Sequence, residues 1–174
     1  MASSLASTIA STAGAAAGNQ NRYGWYDGFR LTEVPENGAR FAYVKCKVAN
    51  TFHIKKVFKI DNNKTWADYK QVRERIFREC GKQWVCERRL FLCTPDAKTV
   101  AETGFPAAKG SGTVFSVLPN QCEGFVRQSG ARSDAYALLC RVAVGHQGRH
   151  SQDSGTQVRV MNEQQAYPRY LIIY

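Results

Sequence analysis

The sequence predicts an α+β domain, and three observations carry that prediction. Apolar stripes at helical spacing are few and fall early, after Pro35 and again from Thr65. Short alternating or apolar runs crowd the later part of the chain, as the strands of one sheet do. One of these runs, Ala135 to Val144, is nearly continuous in apolar residues, which marks a strand at the centre of the sheet.

Residues 1–21 read as a low-complexity tail. Met1 to Gln20 carries no charged side chain and is mostly Ala, Ser, Thr and Gly, so it cannot bury enough apolar surface to fold alone. It lacks the basic start and long apolar core of a secretory signal. Its Met-Ala-Ser-Ser opening has a plastid-transit flavour but no basic residue. Residues 22–36 form an aromatic, Gly-rich segment around Tyr23-Gly24-Trp25-Tyr26-Asp27-Gly28-Phe29. Two readings stand side by side. Tyr23, Trp25, Tyr26 and Phe29 are either anchors that dock on another surface or a strap over this domain's own core.

The domain proper is expected over 37–174. Phe41, Val44 and Val48 fall on one helical stripe, with Lys45 and Lys47 off it. Phe52, Ile54, Phe58 and Ile60 alternate with polar residues as a strand, and Asp61-Asn62-Asn63 reads as a turn. Thr65 caps the next helix, with Asp68 as an imperfect capping-box partner. Trp66, Tyr69, Val72 and Ile76 form that helix's buried stripe, and Lys70, Arg73, Arg75 and Arg78 its outer face, a candidate docking face because basic residues outnumber acidic ones. Arg88 to Leu92 is a strand. Thr94 and Pro95 suit the N-cap and first position of a short helix that Gly104 stops. Val114 to Val117, Val158 to Met161 and Tyr170 to Tyr174 complete the sheet, and no internal repeat is present.

The chain is 44% hydrophobic and 11% aromatic, enough for a core, and no apolar run approaches a membrane span. Its formal charge of +10 favours an acidic partner, whether protein surface, nucleic acid or anionic lipid. The cysteines, Cys46, Cys80, Cys86, Cys93, Cys122 and Cys140, include no Cys-x-x-Cys pair. Free thiols without a secretory signal point to a reducing intracellular compartment, cytoplasmic or cytoskeletal. His146 and His150 flank Gln147-Gly148-Arg149, which reads as a solvent-exposed turn rather than a metal site. No Ser-His-Asp arrangement with supporting spacing, P-loop or metal cluster is evident.

Two stretches, Leu90-Phe91-Leu92-Cys93-Thr94 and Gly110-Ser111-Gly112-Thr113-Val114-Phe115, resemble the NAD-binding signatures of poly(ADP-ribose) polymerase (PARP) catalytic domains. That family writes them Leu-Phe-His-Gly-Thr and Gly-x-Gly-x-Tyr-Phe. Further stretches resemble the same family in the same order: Val57-Phe58-Lys59-Ile60-Asp61-Asn62 with Thr65-Trp66-Ala67-Asp68-Tyr69, then Ala137 to Gly145, then Gln165-Ala166-Tyr167-Pro168-Arg169-Tyr170-Leu171-Ile172. The resemblance implies an ADP-ribosyltransferase-like split antiparallel β-sheet core with a few helices.

It also implies where an NAD site would lie. In the family the His binds the ribose, the Gly presents backbone to the carboxamide, the Tyr and a second aromatic sandwich the nicotinamide, and a Glu polarises the ribose. Here Leu92 stands for the His, Cys93 for the Gly, Val114 for the Tyr, Cys122 for a Ser before the second aromatic, and Gln157 for the Glu. Thr94 and the second aromatic, Phe125, are kept. Leu92, Cys93 and Val114 are expected to fill the old cleft as packed core.

These substitutions imply no NAD cofactor, no metal and no catalysis. The expected role is that of a structural or protein-binding component of a larger assembly, with a weak lean to a cytoskeletal one, its partner presenting an acidic surface and no membrane insertion. The alternatives are an atypical mono-ADP-ribosyltransferase that uses NAD, and an RNA-binding PARP-like module.

Overall fold

The computed structural model describes residues 25–26, 28–81, 87–107, 110–122 and 134–174. The tail at 1–21, Tyr23, Cys86 and Phe125 lie outside the described residues. The described chain is a mixed α+β domain. Its strands are β1 Trp25–Tyr26, β2 Phe29–Glu33, β3 Lys56–Asn62, β4 Glu87–Cys93, β5 Thr113–Ser116, β6 Tyr136–Ala143, β7 Ser151–Asp153, β8 Gln157–Val160 and β9 Ala166–Ile173. Its α-helices are α1 Ala39–Val48, α2 Asn63–Cys80 and α3 Ala97–Thr103. The strands form one sheet, ordered β1-β2-β3-β9-β6-β4-β5-β8-β7, and every pairing is antiparallel. Among the described residues no helix is long and apolar enough to cross a membrane.

Alternation along the strands sorts the core onto two faces. Leu90, Leu138, Cys140, Val142, Phe115, Val158 and Val160 pack under α3 on one face. Phe91, Cys93, Leu139, Val57 and Ile172 pack under α1 on the other, where α2 also lays Tyr69, Val72 and Ile76 beside Ala143 and Tyr167. β6 is the fifth of nine strands and buried along almost all its length, so its near-continuous apolar run is accounted for.

β9 is longer than the run read at Tyr170 to Tyr174, and it carries Pro168 next to the central strand. Proline cannot donate to a ladder. The register slips there: Leu139 faces Tyr170 but Cys140 faces Pro168, leaving Arg169 as the bulged residue. The extra residue also resets the side-chain parity. Tyr167 therefore faces α2 while Tyr170 and Ile172 face α1.

Asn62 corrects two expectations. Asp61-Asn62-Asn63 is not a turn, because β3 runs through Asn62 and α2 begins at the next residue. The N-cap is Asn62 rather than Thr65: its Oδ1 accepts the Thr65 N–H at 3.1 Å. The buried Asn62 amide also donates to the Ala101 and Glu102 carbonyls at 3.2 and 2.6 Å, tying the end of α3 to the start of α2. Asn62→Ala removes the cap and leaves those carbonyls unsatisfied. A loss of about 2–3 kcal/mol is expected, read as a lower urea midpoint at unchanged slope.

Other boundaries also differ. Phe52 and Ile54 precede β3, packing partly buried beneath α1. α3 starts at Ala97 after Asp96, not at Pro95; Thr94 supports the approach by accepting the Asp96 and Ala97 N–H groups through its hydroxyl and carbonyl. Gly104 ends α3 as expected, at φ +88° with its N–H on the Val100 carbonyl.

Candidate functional site

The two signature-like stretches fall at the C-terminal end of β4 and along β5, where the sheet is thinnest. One residue pair, Phe91 with Ser116, joins β4 to β5, whereas seven pairs join β4 to β6. Neighbouring residues of a strand point to opposite faces. Leu92 therefore packs against the α3-side core while Cys93 lies buried on the α1 side. This corrects the expectation that Leu92, Cys93 and Val114 fill one cleft together. Leu92 belongs to the other side of the sheet.

Cys93 does meet Cys122. The Cys93 thiol lies 3.6 Å from the Pro119 carbonyl, which also accepts the Cys122 N–H at 3.0 Å. Both thiols are buried. The neighbouring Cys122, together with burial, holds Cys93 protonated far above the usual thiol range, whereas Cys122 is drawn down by Cys93. Tyr174 stacks on Phe52 at 3.9 Å between centroids.

Val114 and Gln157 do line a common space. Ser116 pairs with Gln157 and Val114 with Arg159, so all four side chains share one face of β5 and β8. Val114, Gln157 and Arg159, with Gln152 and Asp153 from β7, edge an open groove of about 300 Å³. Gln157 is exposed, and its amide reaches the Gln121 carbonyl at 3.5 Å. Cleavage of a nicotinamide–ribose bond calls for an aromatic support and an ionised carboxylate near the ribose. The groove offers Val114 in place of an aromatic ring. Its carboxylate, Asp153, is taken by the Arg88 guanidinium at 2.5 Å and the Gly155 N–H at 2.7 Å. Arg159 donates to the Ser111 carbonyl.

The candidate docking residues are dispersed. Phe29 is partly buried against the core on β2, between β1 and β3, which favours the strap reading for that residue. Trp25 and Tyr26 contribute backbone to β1, paired with Arg30 and Phe29. On α2, Lys70, Arg75 and Arg78 are exposed, each with an acceptor on its own helix: Glu74 and Glu79 at 4.0 Å, and the Glu74 carbonyl at 3.4 Å. Arg73 keeps a side chain 41% exposed but also reaches Glu87, its Nε 3.1 Å from Oε2.

Glu87 is the principal charged feature that the sequence reading missed. Its carboxylate accepts the Tyr69 hydroxyl at 2.6 Å, Arg73, Arg89, and Arg141 through Nε and Nη2 at 3.1 and 2.9 Å. Burial would raise its pKa, but the bonds from Arg141, Tyr69 and Arg89 outweigh this and lower it to about 2. Arg141 also lies 5.0 Å over the Trp66 ring. The signal was present: Arg141 is the one charged residue in a strand otherwise apolar from Ala137 to Ala143, and a cation so placed needs a carboxylate.

Gln147-Gly148-Arg149 forms an exposed turn, as expected, and the His150 side chain that ends it is 11% exposed and bonded to Glu79 of α2. Among the described residues no cluster of His, Cys, Asp and Glu could hold a metal ion. Comparison with protein-family models and with curated proteins finds no match to this chain.

Proposed function

We propose that the chain is a catalytically inactive ADP-ribosyltransferase-like domain that serves as a structural or protein-binding component of a larger intracellular assembly, a cytoskeletal one being favoured. The observation that carries this reading is the Cys93–Cys122 contact. Both residues stand at positions matched to the family's NAD site, both thiols are buried, and the Cys93 thiol and the Cys122 N–H meet at the Pro119 carbonyl. The near-division of the sheet between β4 and β5 suits the split-sheet fold of that family. Gln157, beside a carboxylate already paired to Arg88, leaves the groove without an anion to stabilise an oxocarbenium-like state.

Isothermal titration of the full chain with NAD, with transfer of label from NAD to protein followed in parallel, tests the inactive reading. Neither heat nor label is expected at millimolar NAD. Micromolar binding with transfer establishes the atypical transferase instead. The assembly role is tested by capture from extract with the full chain and with a truncation beginning at Gly28, which removes Tyr23, Trp25 and Tyr26 yet spares β2. Loss of the captured partners on truncation is expected. Unchanged capture transfers the docking role to the folded domain.

A further inference from the structure

Helix α1 carries Arg40, Lys45 and Lys47 and no acidic residue. All three are exposed. Among the described residues the side chains of Arg40 and Lys45 have no ion pair or hydrogen bond, and that of Lys47 has only the Tyr43 ring, 5.8 Å from its Nζ. The basic residues of α2 are placed differently. Lys70, Arg73 and Arg75 are met by Glu74, Glu87 and Glu79. Lys45 and Lys47 stand in the last turn of α1, where the helix dipole favours a cation. Arg40 stands in the first turn, where the dipole opposes a cation and no acidic residue offsets it. The stability of the helix therefore gives no reason for a charge at Arg40.

A groove of about 480 Å³ lies along one flank of the same helix. Phe41 and Val48, buried, and Phe52 and Ile54, half-buried, supply its apolar lining. Lys45, Asn50 and His53 are exposed on its rim, with Glu36 the one acidic residue among the described lining residues. The chain reverses at Ala49 and Asn50, with φ of +51° and +59°, and so brings Phe52 and Ile54 back beneath α1. Arg40, Tyr43 and Lys47 share the opposite flank, at i, i+3 and i+7. Cys46, also exposed, lies between the two flanks. A segment that crosses α1 over Cys46 meets cations on both.

We propose that α1 and this groove dock an acidic segment of a partner protein, its carboxylates on Arg40, Lys45 and Lys47 and an apolar side chain in the groove. Cations without internal partners are the complement that such a segment needs. A single-stranded nucleic acid would need open aromatic faces on which to stack its bases. The rings here are already engaged. Tyr43 lies beneath Lys47 and 6.4 Å from the Tyr170 ring, and Phe52 is stacked on Tyr174 at 3.9 Å. A peptide is therefore the favoured occupant. The inference rests on the protein-binding reading above and gives that partner a place and a chemistry.

The test uses the full chain and fluorescein-labelled poly(Glu,Tyr), with poly-Glu and oligo-uridine as further probes, followed by anisotropy at low salt. The parent should bind poly(Glu,Tyr) more tightly than poly-Glu. Arg40→Glu with Lys45→Glu should weaken that binding at least about tenfold. Lys70→Glu with Arg78→Glu makes the same change in net charge on α2 and should alter affinity less than about twofold. All four side chains are exposed, and unchanged circular dichroism checks that both variants keep the fold. Cys46 reports the place of binding: poly(Glu,Tyr) should slow its alkylation by iodoacetamide at least about threefold, read by peptide mapping. Equal losses in the two variants, equal affinity for poly-Glu, no protection of Cys46, or tighter binding of oligo-uridine overturn the proposal. If the α1 variant still captures the partners that the full chain takes from extract, the placement on α1 fails while the protein-binding reading stands.

Discussion

Glu87→Gln is expected to lower folding stability by about 3 kcal/mol, because it leaves three guanidiniums without their shared anion. The Glu87 side chain is 13% exposed, so water compensates little of the loss. Arg141 suffers most. It lies on central strand β6, held by Glu87 and the Trp66 and Tyr69 rings. Urea titration at pH 7 measures the effect, and Arg141→Met placed on top of Glu87→Gln should cost less than its effect on the parent chain.

The pH dependence follows from the sign of the shift. The folded pKa of Glu87 is about 2 against an ordinary 4.5, so the folded state favours the ionised form. That contribution is fully present above about pH 4.5 and is lost as pH falls through the window down to about 2. Other carboxylates titrate in both proteins, so the stability difference between parent and Glu87→Gln isolates this one. It should shrink by about 2–3 kcal/mol between pH 6 and pH 2. A difference that stays constant across that range would show that Glu87 acts through packing and not charge.

Element type was legible where side chains repeat with the period of the element. The α2 stripe of Trp66, Tyr69, Val72 and Ile76 and the apolar run of β6 both became what their spacing implied. Boundaries were less legible because they depend on partners far along the chain. Asn62 reads locally as a turn residue, and only α3, some forty residues on, supplies the carbonyls that turn it into a cap and a tie. β7 has the sequence Ser-Gln-Asp and no alternation to detect; its pairing with β8 makes it a strand. The candidate site divided in the same way. Cys93 and Cys122 could be marked as odd residues at two positions, but their contact depends on the Pro119 turn. Leu92 was assigned to the wrong side because its neighbour Cys93 was read without the alternation of β4. Arg73 reads as surface on a helical wheel and is partly exposed, but its ion pair is with Glu87 on another element.

Gly112→Ala is expected to cost about 3–4 kcal/mol, while Gly110→Ala costs about 1 kcal/mol. Both glycines have positive φ, +78° at Gly110 and +70° at Gly112, so both substitutions carry the left-handed penalty. They differ in what surrounds them. Among the described residues a Cβ at Gly110 would meet nothing within 4 Å, whereas one at Gly112 would lie 2.5 Å from the Val160 carbonyl oxygen and 3.1 Å from Arg159 Cγ. That oxygen is backbone in the ladder joining β5 to β8, where Thr113 pairs with Val160, and it cannot swing aside. The clash forces β5 away from β8 and distorts the groove between Val114 and Gln157. Urea midpoints of the two variants measure the contrast. A large loss confined to Gly112→Ala means that the second glycine of Gly110-Ser111-Gly112 is required by the approach of one strand to another, so its presence needs no NAD to explain it. Equal, small losses would remove that structural account and return the glycine pair to the side of a ligand site.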